Sequence, residues 1–273
     1  MTWDAVDVTD QEAVTRAIAT SAPDRIFHLA GAASVETSWT SAVPHLRINA
    51  LGTHHVLDAV RRAGRPCRVL VVTSAQVYAN SADPIGEDAS LLPQSPYGLT
   101  KLAQDRLALS SAVADHLDVL VARPFNHIGP GQDPGFAVSS FARQVARIEM
   151  GLAPPTMHVG NLETRRDITD VRDVVDAYAR IMDRGQTGRA YNVCSGRAWR
   201  IRDLLDELLQ LATVPIAVEI DPARFRPVDV PVVQGDSSRA RTELGWTPHI
   251  EIEQTLRDTL DEWRASVLSE QRS

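Results

Sequence analysis

Cysteine is scarce in this chain of 273 residues, which contains only Cys67 and Cys194. Two thiols so far apart give neither a disulfide framework nor a zinc spacing, and each lies in or beside an apolar run where cysteine serves as a small buried residue. The expected compartment is a reducing cytoplasm. The eight histidines include no H-x-x-x-H pair, so no metal is expected. No apolar run is long enough to cross a bilayer, and the N-terminus lacks the apolar core of a signal peptide, so no membrane is expected. Basic runs are missing as well. With a formal net charge of −7 and cations scattered along the chain, the composition argues against a general nucleic-acid binder. Neither an internal repeat nor a low-complexity linker is visible.

What remains is a chain able to bury a sizeable core, as one large or two small domains. Short apolar runs alternate with amphipathic segments. The pattern predicts a helix over 11–21 after Thr9-Asp10, a strand over 25–29, a helix over 43–63 closed by Gly64, and strands over 68–74 and 118–123. This is the βαβ alternation of a parallel sheet. After Pro124 the chain is richer in proline and glycine, with helices expected over 137–149, 171–184, 201–211 and 252–266.

The densest chemistry lies in Ser95-Pro96-Tyr97-Gly98-Leu99-Thr100-Lys101. Ser95 suits an N-cap and Pro96 the first helical position, so Tyr97 and Lys101, four residues apart, meet on the opening turns of a helix. A free phenol titrates near pKa ~10, and the neighbouring ammonium and the positive helix end are both expected to lower that value. The spacing alone is common on exposed helices. Context strengthens it: Arg68-Val69-Leu70-Val71-Val72-Thr73-Ser74 reads as a buried parallel strand, which puts Ser74 at the carboxyl end, where open α/β sheets bind ligands and a hydroxyl can hold a carbonyl.

Strand-end Ser74 followed by Tyr97 and Lys101 resembles the extended short-chain dehydrogenase/reductase family of nucleotide-sugar enzymes, which includes NAD-dependent epimerases and dehydratases. The resemblance runs over almost the whole chain. His28-Leu29-Ala30-Gly31-Ala32-Ala33-Ser34, Asn49-Ala50-Leu51-Gly52-Thr53, Ser74-Ala75-Gln76-Val77-Tyr78 and Arg123-Pro124-Phe125-Asn126-His127 stand in the family's order. Within it, RPFNHIGPGQ from Arg123, GNLETRRDITDVRD from Gly160, YNVCSG from Tyr191 and DPARFRPVDVP from Asp221 look like the GDP-6-deoxy-4-keto-mannose reductases. The implied fold class is α/β: a Rossmann-like, doubly wound parallel sheet missing its first strands, with a smaller C-terminal substrate lobe. Residues 1–124 would form a truncated NAD(P)-binding domain and 125–273 mainly the substrate-binding lobe, with returns to the sheet.

The same resemblance implies roles residue by residue. Ser74, Tyr97 and Lys101 would be catalytic. Asp7, Val8, Leu29, Ala30, Gly31, Asn49, Tyr97, Lys101 and Pro124 would hold NADP or NAD. Ser34, Ser74, Gln76, Asn126, Val138, Arg166, Arg226 and Asp229 would bind a nucleotide-sugar, with arginine forks on the diphosphate and Asp229 accepting from a guanine edge. His127 is as consistent with holding its Gly- and Pro-rich loop as with touching substrate, while His54 and His55 read as packing or surface residues. A homodimer through helices 43–63 and 96–114 is also implied.

The family's G-x-x-G-x-x-G turn, which holds the cofactor pyrophosphate, is absent, and the segment Trp3 to Asp10 resembles the family's third strand and the turn that touches adenine. The absent unit is of βαβ size, roughly 30 residues or more. A recorded start that falls late is the expected reason, with a natural remnant as the alternative. The reaction turns on the two positions after Ser74. Dehydratases that resemble this family carry acids there, whereas this chain has Ala75 and Gln76, neither of which shuttles a proton at neutral pH. Reduction of a nucleotide-linked 4-keto-6-deoxyhexose is therefore expected, GDP-4-keto-6-deoxymannose to GDP-rhamnose first. A UDP- or dTDP-sugar epimerase or reductase, or a non-catalytic sugar-nucleotide binder, stays open.

Overall fold

The computed structural model of the chain describes residues 2–225 and 230–270. A parallel sheet organises the first half. Its strands are β1 (Arg25–His28), β2 (Arg68–Val72) and β3 (Asp118–Pro124), joined by β7 (Ala190–Val193) from much later in the chain, in the spatial order β1-β2-β3-β7. The pairing His28↔Val71, Val72↔Ala122 and Pro124↔Val193 keeps the carboxyl ends of all four on one side of the molecule.

Helices cover both faces, and the strands' period of two decides what each face receives. Val69, Val71, Val119 and Val121 pack with Leu57, Val60 and Ala108 from α4 (Gly52–Ala63) and α5 (Pro96–Ala114). The alternate residues Leu70, Leu120 and Ala122 pack with Val174, Ala177 and Ile181 from α7 (Val171–Arg184) and with Leu244 and Trp246 around α9 (Ser238–Leu244). α1 (Gln11–Ser21) is started by the Asp10 side chain, which accepts from Ala13 N, and lies against α4. A second apolar core forms from α6 (Ala137–Glu149), α8 (Ile201–Gln210) and α10 (Ile252–Glu270), with Met157 and Val159 of β5 (Thr156–Val159), which pairs with β9 (Ala217–Ile220). The sheet of β4 (Asn126–Ile128), β6 (Arg165–Asp170), β8 (Ala198–Arg200) and β10 (Val232–Val233) adds Ile128 and Ile168 to that second core.

Most expected elements are present within a residue or two, and three departures have physical causes. The helix expected over 43–63 is α3 (Ala42–Leu46), a wide π-type turn over Arg47–Leu51, and then α4. The wide turn is the local feature around Asn49, whose buried amide bonds Ala32 and Thr100. In the segment Trp3 to Asp10, expected as a strand and the turn after it, residues 8–9 form a turn, but residues 3–7 are exposed and pair with no strand among the described residues; a strand exists only through a neighbour's hydrogen bonds. A short helix, α2 (Val35–Thr40), was not expected; the Ser34 hydroxyl starts it by accepting from Thr37 N.

Candidate active site

Three segments converge at the carboxyl ends of β1, β2 and β3. The first is the loop 29–34, the second Thr73 and Ser74, the third the opening of α5. Ser95 caps α5 by accepting from Gly98 N at 3.0 Å, and Pro96 occupies its first turn. The next orphan donor, Tyr97 N, is taken by the hydroxyl of Ser38 on α2 at 3.1 Å. Gly98 has a steric reason, since a Cβ there would lie 2.5 Å from the carbonyl oxygen of Gln76. The 3₁₀ turn Ala75–Val77 can thus rest directly on the helix start, with Ser74 Oγ accepting from Gln76 N at 3.2 Å.

Ser74, Tyr97 and Lys101 are all buried, at 8, 8 and 5 % exposure. Burial decides their electrostatics. The phenol of Tyr97 was expected to titrate low, but it is pushed up, because burial outweighs the hydrogen bond from Ser74 that pulls it down. The consequence is a phenol that keeps its proton at neutral pH and can give it away. Lys101 is pushed down to about 8 by burial alone. Its ammonium donates to Val72 O at 3.1 Å and to Gln104 Oε1 at 2.8 Å, and no carboxylate among the described residues forms an ion pair with it.

Gly31 and Asn49 stand beside Lys101. Asn49 Oδ1 accepts from Ala32 N at 2.8 Å, and its amide donates to Ala32 O and to the Thr100 hydroxyl. A Cβ on Gly31 would sit 3.1 Å from Asn49 Oδ1 and 3.2 Å from Lys101 Nζ, so only glycine leaves that approach open. Leu29, Ala30 and Gly31 are exposed, and Pro124 is buried at the end of β3. Val8 is fastened to α4 through its carbonyl, 2.9 Å from His55 Nδ1. Asp7 accepts from Thr9 N and Oγ1, which lowers its carboxyl. It borders a depression of about 260 Å³ lined also by Val43, Pro44, Arg47 and Ile48.

On the other side, Ser34 and Asn126 reach the surface region and Gln76 is half-buried. His127 is part-buried with Nδ1 3.2 Å from Phe125 O, and burial lowers its pKa. Arg166 donates to the carbonyls of Arg165 and Val230. Val138, on α6, is 3 % exposed and packs with Phe141 and Leu162. Arg226 and Asp229 lie outside the described residues. No cluster that could hold a metal ion occurs among the described residues, and no helix among them is long and apolar enough to cross a membrane.

Several buried polar groups went unrecognised in the sequence. Gln104, Thr53 and His28 form a hydrogen-bonded row behind Lys101, and Ser38 holds the helix start. One signal was available: Lys101 is the only lysine of the chain, and Gln104 stands three residues on, a spacing that faces it. Deeper in, Arg123 forks onto Asp105 at 2.8 and 2.9 Å, with side-chain exposures of 4 and 0 %, and also reaches the Tyr78 hydroxyl.

Residues 1–259 match the family described as GDP-mannose 4,6 dehydratase. The chain is 40 % identical over 251 residues to the GDP-6-deoxy-D-mannose reductase of Pseudomonas aeruginosa, covering 91 % of this chain and 83 % of that protein. It is 25 % identical over 276 residues to a GDP-mannose 4,6 dehydratase of Drosophila melanogaster, covering 93 % of this chain and 69 % of that one. Among solved structures, RMD from Pseudomonas aeruginosa complexed with NADPH superimposes with a TM-score of 0.90 at 36 % identity, over 96 % of this chain and 88 % of the other.

Proposed function

The chain belongs to the GDP-mannose 4,6 dehydratase family, and within it we propose that it is an NAD(P)H-dependent reductase that converts GDP-4-keto-6-deoxymannose to GDP-rhamnose. One observation carries the choice of reaction. Ser74, Tyr97 and Lys101 supply the hydroxyl, phenol and ammonium that protonating a ketone needs, while the two positions after Ser74 are Ala75 and Gln76, in a turn that offers no acid for eliminating water. The relative named a reductase supports the same reading.

The residues present fit the nicotinamide-ribose end of NAD(P). Lys101 uses two of its three hydrogens on Val72 and Gln104, and the approach beside Gly31 is clear of a side chain. When bound, the reduced nicotinamide supplies the hydride. Ser74 holds the keto oxygen, Tyr97 delivers its proton to that oxygen as it becomes an alkoxide, and Lys101 stabilises the tyrosinate left behind while binding the ribose hydroxyls. Asn49, bonded to Thr100 and to loop 29–34, keeps that loop in register with α5. Asp7, Val8, Leu29, Ala30 and Pro124 complete the cofactor side. Ser34, Gln76, Asn126, Val138, Arg166, Arg226 and Asp229 take the sugar diphosphate and the guanine.

On this reading residues 1–124 form the cofactor half and 125–273 mainly the sugar-nucleotide half. The enzyme works in the cytoplasm, where NADPH or NADH is the reductant and Cys67 and Cys194 stay free and buried. It pairs through α4 and α5, whose surroundings expose Val43, Leu46, Leu51, Leu99 and Val113. Incubation with NADPH and GDP-4-keto-6-deoxymannose should oxidise the cofactor and yield GDP-rhamnose. Conversion of GDP-mannose to a 4-keto product would make it a dehydratase, and inertness toward GDP-, UDP- and dTDP-linked ketosugars would leave a binding homologue.

A further inference from the structure

Behind Lys101 the hydrogen bonds can be followed atom by atom. An ammonium only donates, so the Gln104 atom 2.8 Å from Lys101 Nζ is the carbonyl Oε1, and the amide nitrogen faces Thr53 Oγ1, also at 2.8 Å. Thr53 has one hydrogen and gives it to Asn49 O at 2.7 Å. Its oxygen therefore accepts from Gln104 and from His28, whose Nε2 is 2.8 Å away. The network assigns His28 as the neutral Nε2–H tautomer, and burial followed by the charge of Lys101 lowers its pKa to about 4. Gln104 and Thr53 are completely buried.

Every group in this row is neutral except Lys101. Of the ionisable groups on the elements packed here, His28 of β1 feels the Lys101 charge; Tyr97 stands one turn before Lys101 on α5, with Tyr178 of α7 acting on that phenol, and Asp105, one turn on, is already forked by Arg123 of β3. β2 offers only the Val72 carbonyl. A carboxylate in place of the amide would pair with the ammonium and cancel its field at Tyr97. An apolar side chain would strip a buried charge of one of its two acceptors.

We infer that Gln104 is a positioning residue for the reduction: a neutral acceptor, oriented by Thr53 and His28, that fixes the Lys101 ammonium while leaving its charge for Tyr97 and the cofactor ribose. The inference rests on the reductase reading for the reaction it serves, but its central claim concerns the free protein.

The single lysine makes the test direct. Growth on lysine labelled with ¹³C at the ε position gives one methylene signal whose shift follows the charge of Lys101. In the unmodified protein it should titrate near 8. Gln104→Glu should raise the midpoint by about 1–3 units, as an adjacent opposite charge does, and Gln104→Leu should lower it by roughly one unit. The basic limb of the pH profile of kcat/KM for ketosugar reduction should move in the same directions. Variants that fold but leave the midpoint unmoved overturn the inference, whatever happens to their stability or rate. If neither variant folds, the unmodified protein decides: the side-chain amide protons of Gln104 must shift with the same midpoint as the lysine methylene, and their indifference overturns the inference. Shifted midpoints in a chain that reduces no ketosugar support Gln104 as the partner that sets Lys101 and instead remove the reductase reading.

Discussion

Replacing Tyr97 by Phe removes one oxygen and leaves the buried ring in place. The helix start does not depend on that oxygen, because Ser95 caps Gly98 N at 3.0 Å and Ser38 holds Tyr97 N at 3.1 Å. Ser74, the hydroxyl's neighbour, keeps the Gln76 amide at 3.2 Å. The stability cost is therefore that of one hydrogen bond, about 1 kcal/mol. The chemical cost is larger. The buried phenol holds its proton at neutral pH, and loss of a positioned general acid costs about 10²–10⁴ in rate, or roughly 3–5 kcal/mol at 1.36 kcal/mol per decade. Single-turnover oxidation of NADPH by the ketosugar, beside a urea midpoint for each protein, separates the two quantities. A variant as stable as its parent and within tenfold of its single-turnover rate refutes the role given to Tyr97.

Three further outcomes are expected. His28 has a folded value of about 4 against 6.5 unfolded, so the fold holds the neutral ring; its contribution is complete above pH 6.5 and fades as pH falls toward 4, by about 3 kcal/mol in all. Urea midpoints between those pH values should fall less steeply in His28→Gln, and equal slopes would contradict the buried neutral ring. Arg123→Met leaves Asp105 charged and unpaired at 0 % side-chain exposure, which should cost about 3–5 kcal/mol, while Arg123→Met with Asp105→Leu should recover most of it; a double variant as unstable as the single one would count against the pair. Sedimentation of the unmodified chain should give a dimer, and a monomer at micromolar concentration would remove the pairing assigned to α4 and α5.

Much of the fold was legible because it rests on local, periodic signals. The β-branched run ending at Ser74 announces a parallel strand buried on both faces, and Ser95-Pro96 announces where a helix begins. The residues proposed as catalytic were legible too, since helical spacing puts Tyr97 and Lys101 on one face of α5 and Ser74 stands at a strand end. Long motifs then separated this chain from other reductases in a way that Y-x-x-x-K cannot.

The environment of those residues belongs to the tertiary structure. The sequence pairs Tyr97 with a cation and so predicts a lowered phenol pKa; the folded chain buries both groups, and desolvation reverses the sign at Tyr97 while drawing Lys101 down to about 8. The wide turn that brings Asn49 to Ala32 and Thr100, and the row from His28 through Thr53 to Gln104, join residues 17 to 51 positions apart. No local pattern encodes such contacts, because they exist only once α4, α5 and the ends of β1 and β2 exclude water from the same space. Sequence by itself determined which chemical groups the site has and on which elements they stand. The packing of those elements decided which of them are charged, which are fixed, and which can give up a proton.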